Sequence, residues 1–228
     1  MKNKQLKLSV VIPALNESEQ IEYCLNGLQL LRQQGHEIIV VDGGSNDNTV
    51  SLALPLCDRV IQSRKSRSIQ MNSGAAEATG HCILFLHADT ILPSDVADLF
   101  LQVQNIEKKW GRFDIRLSGR DGLFRIIETC MNIRSRVTGI ATGDQGVFVG
   151  KELFFDVNGF PEIALMEDIA MSKLLLKHSK PLCFRERVVS SSRRWEKNGI
   201  IKTILLMWML RFLYFFNFDT NKLKKLYL

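Results

Sequence analysis

Four apolar residues, Ile83, Leu84, Phe85 and Leu86, run without a break into His87 and Asp89 in the segment HCILFLHADT. A strand with one wet face alternates apolar and polar residues. An unbroken run has both faces covered, which is the habit of a parallel sheet packed between helices. The chain is thereby directed toward a layered α/β fold. His87 and Asp89 fall at the carboxyl end of the buried strand, the edge where open α/β sheets bind ligands.

The residues before this run fit the same scheme. Residues 8–12 form a short β-branched apolar run stopped by Pro13, a first buried strand. Ser18 is a plausible N-cap for a helix over residues 18–32, with Ile21, Cys24, Leu25, Leu28 and Leu31 on one face. EIIVV at 37–41 is a second buried strand, closed by the turn formers DGGSNDNT. Residues 59–62 make a third strand, and NSGAAEATG belongs to a helix of small residues that permits close backbone approach. After the HCILFLHAD strand, a helix over 94–105 would bury Val96, Leu99, Phe100 and Val103. Strands joined through helices need parallel, right-handed crossovers, so residues 8–105 read as a Rossmann-like half.

Beyond Trp110 the pattern loosens. GRFDIRLSG alternates like an exposed or edge strand, GLFRIIETCMNIRSRVTG is an amphipathic helix, and GDQGVFVG is a strand approached through a glycine turn. Asn158 to Pro161 make a turn, and MEDIAMSKLLLK is a helix whose acidic start suits its dipole. The expected architecture is a three-layer α/β/α fold with a mostly parallel sheet, organised as a domain over 1–199 (halves 8–105 and 106–199) and a C-terminal apolar, basic helix over 200–228.

That last stretch holds the chain's charge asymmetry. Residues 180–228 carry 11 Lys/Arg against 3 Asp/Glu, or +8 of the total +6, leaving the rest slightly acidic. A local contact with phosphates or an anionic membrane is favoured over a nucleic-acid coat. IIKTILLMWMLRFLYFFNF is as long as a membrane span yet carries Lys202 and Arg211, a poor fit to bilayer depth. It can lie on a membrane surface, pack into the fold or an oligomer, or insert; Lys222, Lys224, Lys225 and Tyr227 favour the first. The five cysteines are scattered, without zinc spacing, as in a reducing compartment. The first residues offer only a short apolar run broken by Pro13, too brief for a secretory signal. The expected location is cytoplasmic, peripheral on the cytoplasmic face of the cell membrane.

Three polar clusters follow buried strands: Asn16 and Glu17, Asp42 to Thr49, and His87 to Thr90. A parallel sheet brings all three to one edge. An Asp there can accept from a base or ribose, or hold Mg²⁺ or Mn²⁺ against a diphosphate. Dinucleotide binding is disfavoured, because PALNES carries no GxGxxG, and there is no P-loop.

VVIPALNE, VVDGGSNDNT, NSGAAEATG, LFLHADT, MEDIAMSKLL and SRRW, in this order over roughly residues 8–195, resemble the inverting nucleotide-sugar glycosyltransferases of family 2. That family includes cellulose and chitin synthases and dolichyl-phosphate mannose synthase. Small bacterial-type members with LHADT, GRFD, GDQ and RRW are the most similar subgroup. The resemblance implies a GT-A fold and transfer of sugar from a nucleotide-diphosphate sugar, with inversion, to an acceptor expected to be lipid-linked or hydrophobic. It implies that Ala14, Asn16 and Glu17 line the nucleotide pocket, that Asp42 accepts from the base, and that Arg67 approaches base or diphosphate. Asp89 matches the last acid of the D-x-D metal motif and would hold a divalent cation, Mg²⁺ or Mn²⁺. His87 departs from that motif, and imidazole is a poorer magnesium ligand than carboxylate. Asp168 matches the catalytic base. Glu167, Arg194 and Trp195 belong to the acceptor or diphosphate side, with Asp144 and Gln145 as acceptor-side candidates.

Chemistry supports the base independently: inversion by single displacement needs one carboxylate to take the acceptor proton while cation or arginine stabilises the leaving diphosphate. Plainer readings stand beside these. Asp42 can build an Asx-turn, Glu167 and Asp168 can be ordinary helix-start acids, His87 a packed histidine, and Trp195 core. Rival functions are an inactive nucleotide-sugar binder, suggested by His87, and a nucleotidyltransferase, which the lack of a glycine-rich basic loop after Pro13 disfavours. Nucleic acid is not an expected partner, since the basic tail holds no reading module.

Overall fold

The computed structural model describes residues 6–227. In chain order its elements are β1 (Leu8–Ala14), α1 (Ile21–Asn26), α2 (Gln29–Gln33), β2 (Glu37–Asp42), α3 (Thr49–Ala53), β3 (Arg59–Gln62), α4 (Arg67–Glu77), β4 (Cys82–Phe85), β5 (Thr90–Ile91) and α5 (Val96–Leu101). There follow β6 (Trp110–Leu117), α6 (Gly122–Thr138), β7 (Val147–Gly150), α7 (Lys151–Asp156), α8 (Glu167–Leu175), β8 (Leu182–Ser190), α9 (Arg193–Asn198), α10 (Ile200–Phe215) and α11 (Thr220–Tyr227).

All eight strands share one sheet in the order β3-β2-β1-β4-β7-β6-β8-β5. The first four are parallel, with Val10 level with Ile38 and Leu84. β7 then runs antiparallel to both β4 and β6, whereas β6 and β8 are parallel. Both faces are covered, which explains the unbroken apolar runs. Val10, Ile12, Ile38, Val40 and Leu84 enter one core with Leu25 and Phe100, while Val11, Ile39, Val41, Ile83 and Phe85 enter the opposite core with Met71, Phe154 and Leu175. Small residues in α4 matter as expected: a Cβ on Gly74 would drive into the side chains of Val11 and Val41, so only glycine lets the helix lie this close to the sheet.

Several sequence expectations need correction. The helix foreseen over 18–32 is two short helices that bend at Gly27, a poor helix former, and keep Leu25, Leu28 and Leu31 all buried. Ser18 does not cap it; its N–H donates to Asp47 Oδ2. The helix foreseen over 94–105 spans only Val96–Leu101. β6 lies between β7 and β8 and is not an edge. Its polar alternation comes from Arg112, fully buried, which ion-pairs with Asp114 and donates to the Asn132 carbonyl at 3.0 Å. The C-terminal stretch is two helices, turned at Asn217 with φ 57°. They pack back on the domain: Leu210 and Leu223 are buried with Met166 and Ile169 at the start of α8.

Candidate active site

The sheet reverses its direction of growth beside β4, and the chain past β4 opens onto a cavity of about 580 Å³. His87 and Asp89 stand on its wall, carried there by the polar turn that ends the apolar run. Thr90 and Ile91 then pair with Ser190 and Val189 of β8. That two-rung ladder sets Asp89 beside Ser191, Arg193 and Arg194, which also line the cavity.

Asp168 lies opposite, in the first turn of α8. Its Oδ2 accepts from the Gly143 N–H at 3.1 Å and its Oδ1 from the Ile169 N–H at 2.7 Å, so the carboxylate is held by backbone. The backbone itself is unusual just before it: Met166, the helix N-cap, has φ 69° and ψ 25°. A non-glycine residue in that left-handed region costs of order 1–3 kcal/mol and persists only where packing enforces it. The packing here is the buried cluster with Ile169, Leu210 and Leu223.

Five carboxyl groups of this region are held above their ordinary pKa. Burial is the leading cause for Asp168, opposed by the Gly143 and Ile169 N–H groups and by Arg67 and Arg134. Burial, then the neighbouring Asp168, raises Glu167, and Arg67 opposes it from 3.7 Å. Burial also raises Asp89, Asp144 and Glu17. Four of these acids line the cavity and Glu167 borders the adjoining recess, a pattern common at functional sites. His87 goes the other way, pushed by burial and by Arg67 down to about 3. It is a neutral imidazole whose Nε2 faces the Gly143 backbone with no hydrogen-bond partner among the described residues.

The cations match this acidity. Arg67 lines the cavity, and Arg193 ion-pairs with Glu17 at 3.5 Å and Glu19 at 2.9 Å. Arg194 donates to the Tyr227 carbonyl at 2.8 Å with its guanidinium 3.6 Å over the Tyr227 ring. Much of the remaining wall is apolar, with Ile126, Ile127, Cys130 and Met131 from α6 and Ile204, Met207 and Trp208 from α10, although α10 also brings Thr203 and Arg211 to the cavity.

Of the residues singled out from sequence, Glu17, Arg67, Asp89, Asp144, Asp168, Arg194 and Trp195 line this cavity together. Glu167 borders a small adjoining recess with Arg67 and Asp168. Four others lie outside it. The Ala14 carbonyl accepts from Gln70 Nε2 and the Gly43 N–H. Asn16, at φ 54°, binds the 43–49 loop through its side chain, accepting from the Asn46 N–H at 2.9 Å. The Asp42 carboxylate accepts from the N–H groups of Gly44 and Ser45, an Asx-type turn. Gln145 is fully buried, its amide tied to Thr142 and Ser135, so it braces the Gly143 turn from behind. Trp195 serves two ends, packing against the core beneath while bordering the cavity. Sequence reasoning missed Arg193, Arg134 and Tyr227. Arg193 was within reach, adjoining Arg194 in SRRW; the other two lie on helix faces and carry no local signal.

Solved structures share this fold. The chain matches a Staphylococcus aureus TarS fragment (1–349) at a TM-score of 0.67 and 19% identity, covering 82% of this chain and 61% of that one. It matches the mannosyltransferase PcManGT of Pyrobaculum calidifontis, solved with GDP-Man and Mn²⁺, at a TM-score of 0.62 and 19% identity, covering 82% and 57%. The fold is that of a GT-A glycosyltransferase. The model of "Glycosyl transferase family 2" matches residues 9–136, and the chain belongs to that family. Over 183 residues it is 25% identical to the poly-beta-1,6-N-acetyl-D-glucosamine synthase of Staphylococcus aureus (strain COL), covering 72% of this chain. The chain spans 44% of that synthase's length.

Proposed function

We propose that this chain transfers a sugar from a nucleoside-diphosphate sugar to a hydroxyl or carboxylate of an acceptor with an apolar portion, with inversion, by a single displacement. One observation carries the reading: a single cavity joins a backbone-held carboxylate, Asp168, to an acid and arginines on one side and an apolar wall on the other.

Asp168 acts as base. As the acceptor oxygen bonds to the anomeric carbon, the bond from that carbon to the diphosphate breaks, and a hydroxyl acceptor's proton passes to Asp168. The two backbone N–H bonds aim the carboxylate before substrate arrives, and burial makes it a stronger base than a solvated aspartate. Negative charge grows on the departing diphosphate, and Arg67, Arg193 and Arg194 are among the cavity's cations that can stabilise it. Nucleotide contacts belong in this reading to Glu17 and to the loops that Ala14, Asn16 and Asp42 shape.

A divalent cation fits this donor set. Among the described residues no three His, Cys, Asp or Glu side chains converge as an all-protein cage. Mg²⁺ and Mn²⁺ sites at phosphates commonly need only one or two carboxylates, the substrate's oxygens and water completing the shell. Asp89 supplies such a carboxylate from the cavity wall that His87 also lines. The cation would neutralise diphosphate charge. PcManGT, a mannosyltransferase of the same fold, is solved with Mn²⁺.

The acceptor is read as lipidic or membrane-held and the working location as a cytoplasmic membrane face, on the strength of the apolar wall and the basic C-terminal helices. Among the described residues, no helix is long and apolar enough to cross a membrane. The test is a thermal-shift screen against UDP, GDP and dTDP sugars with and without Mn²⁺, followed by product mass spectrometry with the donor that binds. The reading expects donor binding by wild type and Asp168→Asn alike, with product only from wild type. Product from Asp168→Asn at the wild-type rate would remove Asp168 as the base.

A further inference from the structure

Two helices flank the mouth of the cavity, and both turn apolar side chains away from the protein. On α6, Leu123, Ile126, Cys130, Ile133 and Val137 recur every three or four residues, one stripe of a helix. All five are exposed, Val137 to 79%. Phe124 and Ile127 of the same helix are buried in the core, so α6 is apolar on its solvent side as well as on its core side. On α10, Ile201, Leu205, Trp208, Phe212 and Phe215 repeat the spacing, with Trp208 68% and Phe215 73% exposed. Ile126 and Cys130 from one stripe and Trp208 from the other line the cavity, so the stripes meet at its mouth.

Charge says what covers this face. From residue 200 to 227 there are five basic residues, Lys202, Arg211, Lys222, Lys224 and Lys225, against Asp219 alone. On α6 the charge is largely matched, Arg125 pairing with the buried Glu128 at 3.4 Å and Arg136 with Asp114 at 2.8 Å, so the lysines of the C-terminal helices carry the imbalance. Aromatic and aliphatic residues bordered by lysine suit the headgroup region of an anionic bilayer. A protein partner would gain from the apolar stripes but has no need of so one-sided a charge.

We propose that α6 and α10 together seat the chain on an anionic phospholipid bilayer, with the cavity mouth between them turned to the lipid. The apolar part of an acceptor then enters sideways from the membrane while its head reaches Asp168. The seating stands on the two stripes and their charge; the sideways route rests on the acceptor reading given above.

The test uses the full chain and sedimentation with vesicles of phosphatidylcholine alone or with 30% phosphatidylglycerol, a composition of roughly the charge that recruits basic surfaces. Two double variants avoid the cavity wall: Ile133→Glu with Val137→Glu on α6, and Phe212→Glu with Phe215→Glu on α10. Wild type is expected to bind the anionic vesicles, and each variant to bind roughly tenfold less or weaker, with unchanged thermal unfolding and donor thermal shift. Serine at the same positions is the milder check should a glutamate pair unfold. Binding of the α6 variant equal to wild type overturns the two-helix surface. So does a wild-type dimer in gel filtration that either variant splits, which would make the stripes a self-interface. Efficient transfer to a soluble acceptor without vesicles, while vesicle binding persists, overturns the sideways route and the lipidic-acceptor reading but leaves the seating in place.

Discussion

The N–H of Gly143 donates to Oδ2 of Asp168 across 3.1 Å, joining the turn before β7 to the first turn of α8. With the Ile169 N–H on the other oxygen, this bond fixes the plane of the carboxylate. The carboxylate proposed as the base is therefore aimed by two segments 25 residues apart.

Asp168→Asn keeps one of the two acceptor contacts, sets an NH2 against the other N–H, and loses the basicity. Turnover should fall by about 10²–10⁴ while donor-induced thermal shift is kept. The base works only when deprotonated, so kcat/KM falls as pH drops through its pKa. Burial places that limb above the ordinary aspartate range, and Arg67 holds it down. Arg67→Met should move the limb to higher pH, a shift that simple loss of donor affinity would not produce.

Gly143→Ala tests the turn. A Cβ there would meet His87 Nε2 at 2.5 Å, so the turn or the imidazole must move. Overpacking of this kind costs about 1–3 kcal/mol, and a displaced turn lengthens the bond to Asp168. Activity should fall more than stability does, and His87→Ala in the same chain should restore part of it. A double-mutant cycle on kcat/KM with no coupling between positions 143 and 87 would count against the contact.

Glu37 offers an acid-stability test away from the cavity. Burial raises its pKa, but bonds from Ser9 Oγ at 2.6 Å, the Thr79 N–H at 2.9 Å and Thr79 Oγ1 at 3.0 Å outweigh it, leaving the pKa lowered. A carboxylate depressed in the folded state contributes stability above its unfolded pKa, roughly 4.3, and that contribution is lost as pH falls through the folded value. Glu37→Gln should cost about 1–3 kcal/mol at neutral pH. It should also flatten the acid side of the melting-temperature profile relative to wild type.

Leu210→Ala or Leu223→Ala empties the cluster that surrounds Met166. The loss should be about 2–5 kcal/mol in denaturant unfolding. Turnover should fall even at temperatures where the variants remain folded, because the left-handed backbone before Glu167 and Asp168 depends on that packing.

Much of the parallel half was legible because burial of both sheet faces writes itself as unbroken apolar runs: residues 8–12, 37–41 and 82–86 all lie in or beside β1, β2 and β4. The second half was less so. In β8, Arg185, Glu186 and Arg187 interrupt the apolar pattern, since the strand is only half-covered and its charges reach solvent, and no strand was expected there. β6 read as an edge because the buried Arg112 and Asp114 satisfy each other, a pairing that local sequence cannot reveal. At the cavity, acids and arginines adjoining strand ends or helix starts were visible as motifs. The apolar wall was not: Ile126, Cys130 and Trp208 become neighbours of Asp168 only when α6 and α10 fold across the sheet edge.

The ladder between β5 and β8 has a kinetic meaning. Thr90 meets Ser190 across 100 residues, by backbone pairing and by a 3.4 Å contact between their hydroxyls. Pairing among the four parallel strands involves no residue beyond 85, whereas Asp89 and Arg193 come together only after that long loop has closed. Closing it is entropically costly and slow relative to local pairing. A refolding chain should therefore regain its sheet signal before its ability to bind a nucleotide sugar, so binding competence would report the last step of folding.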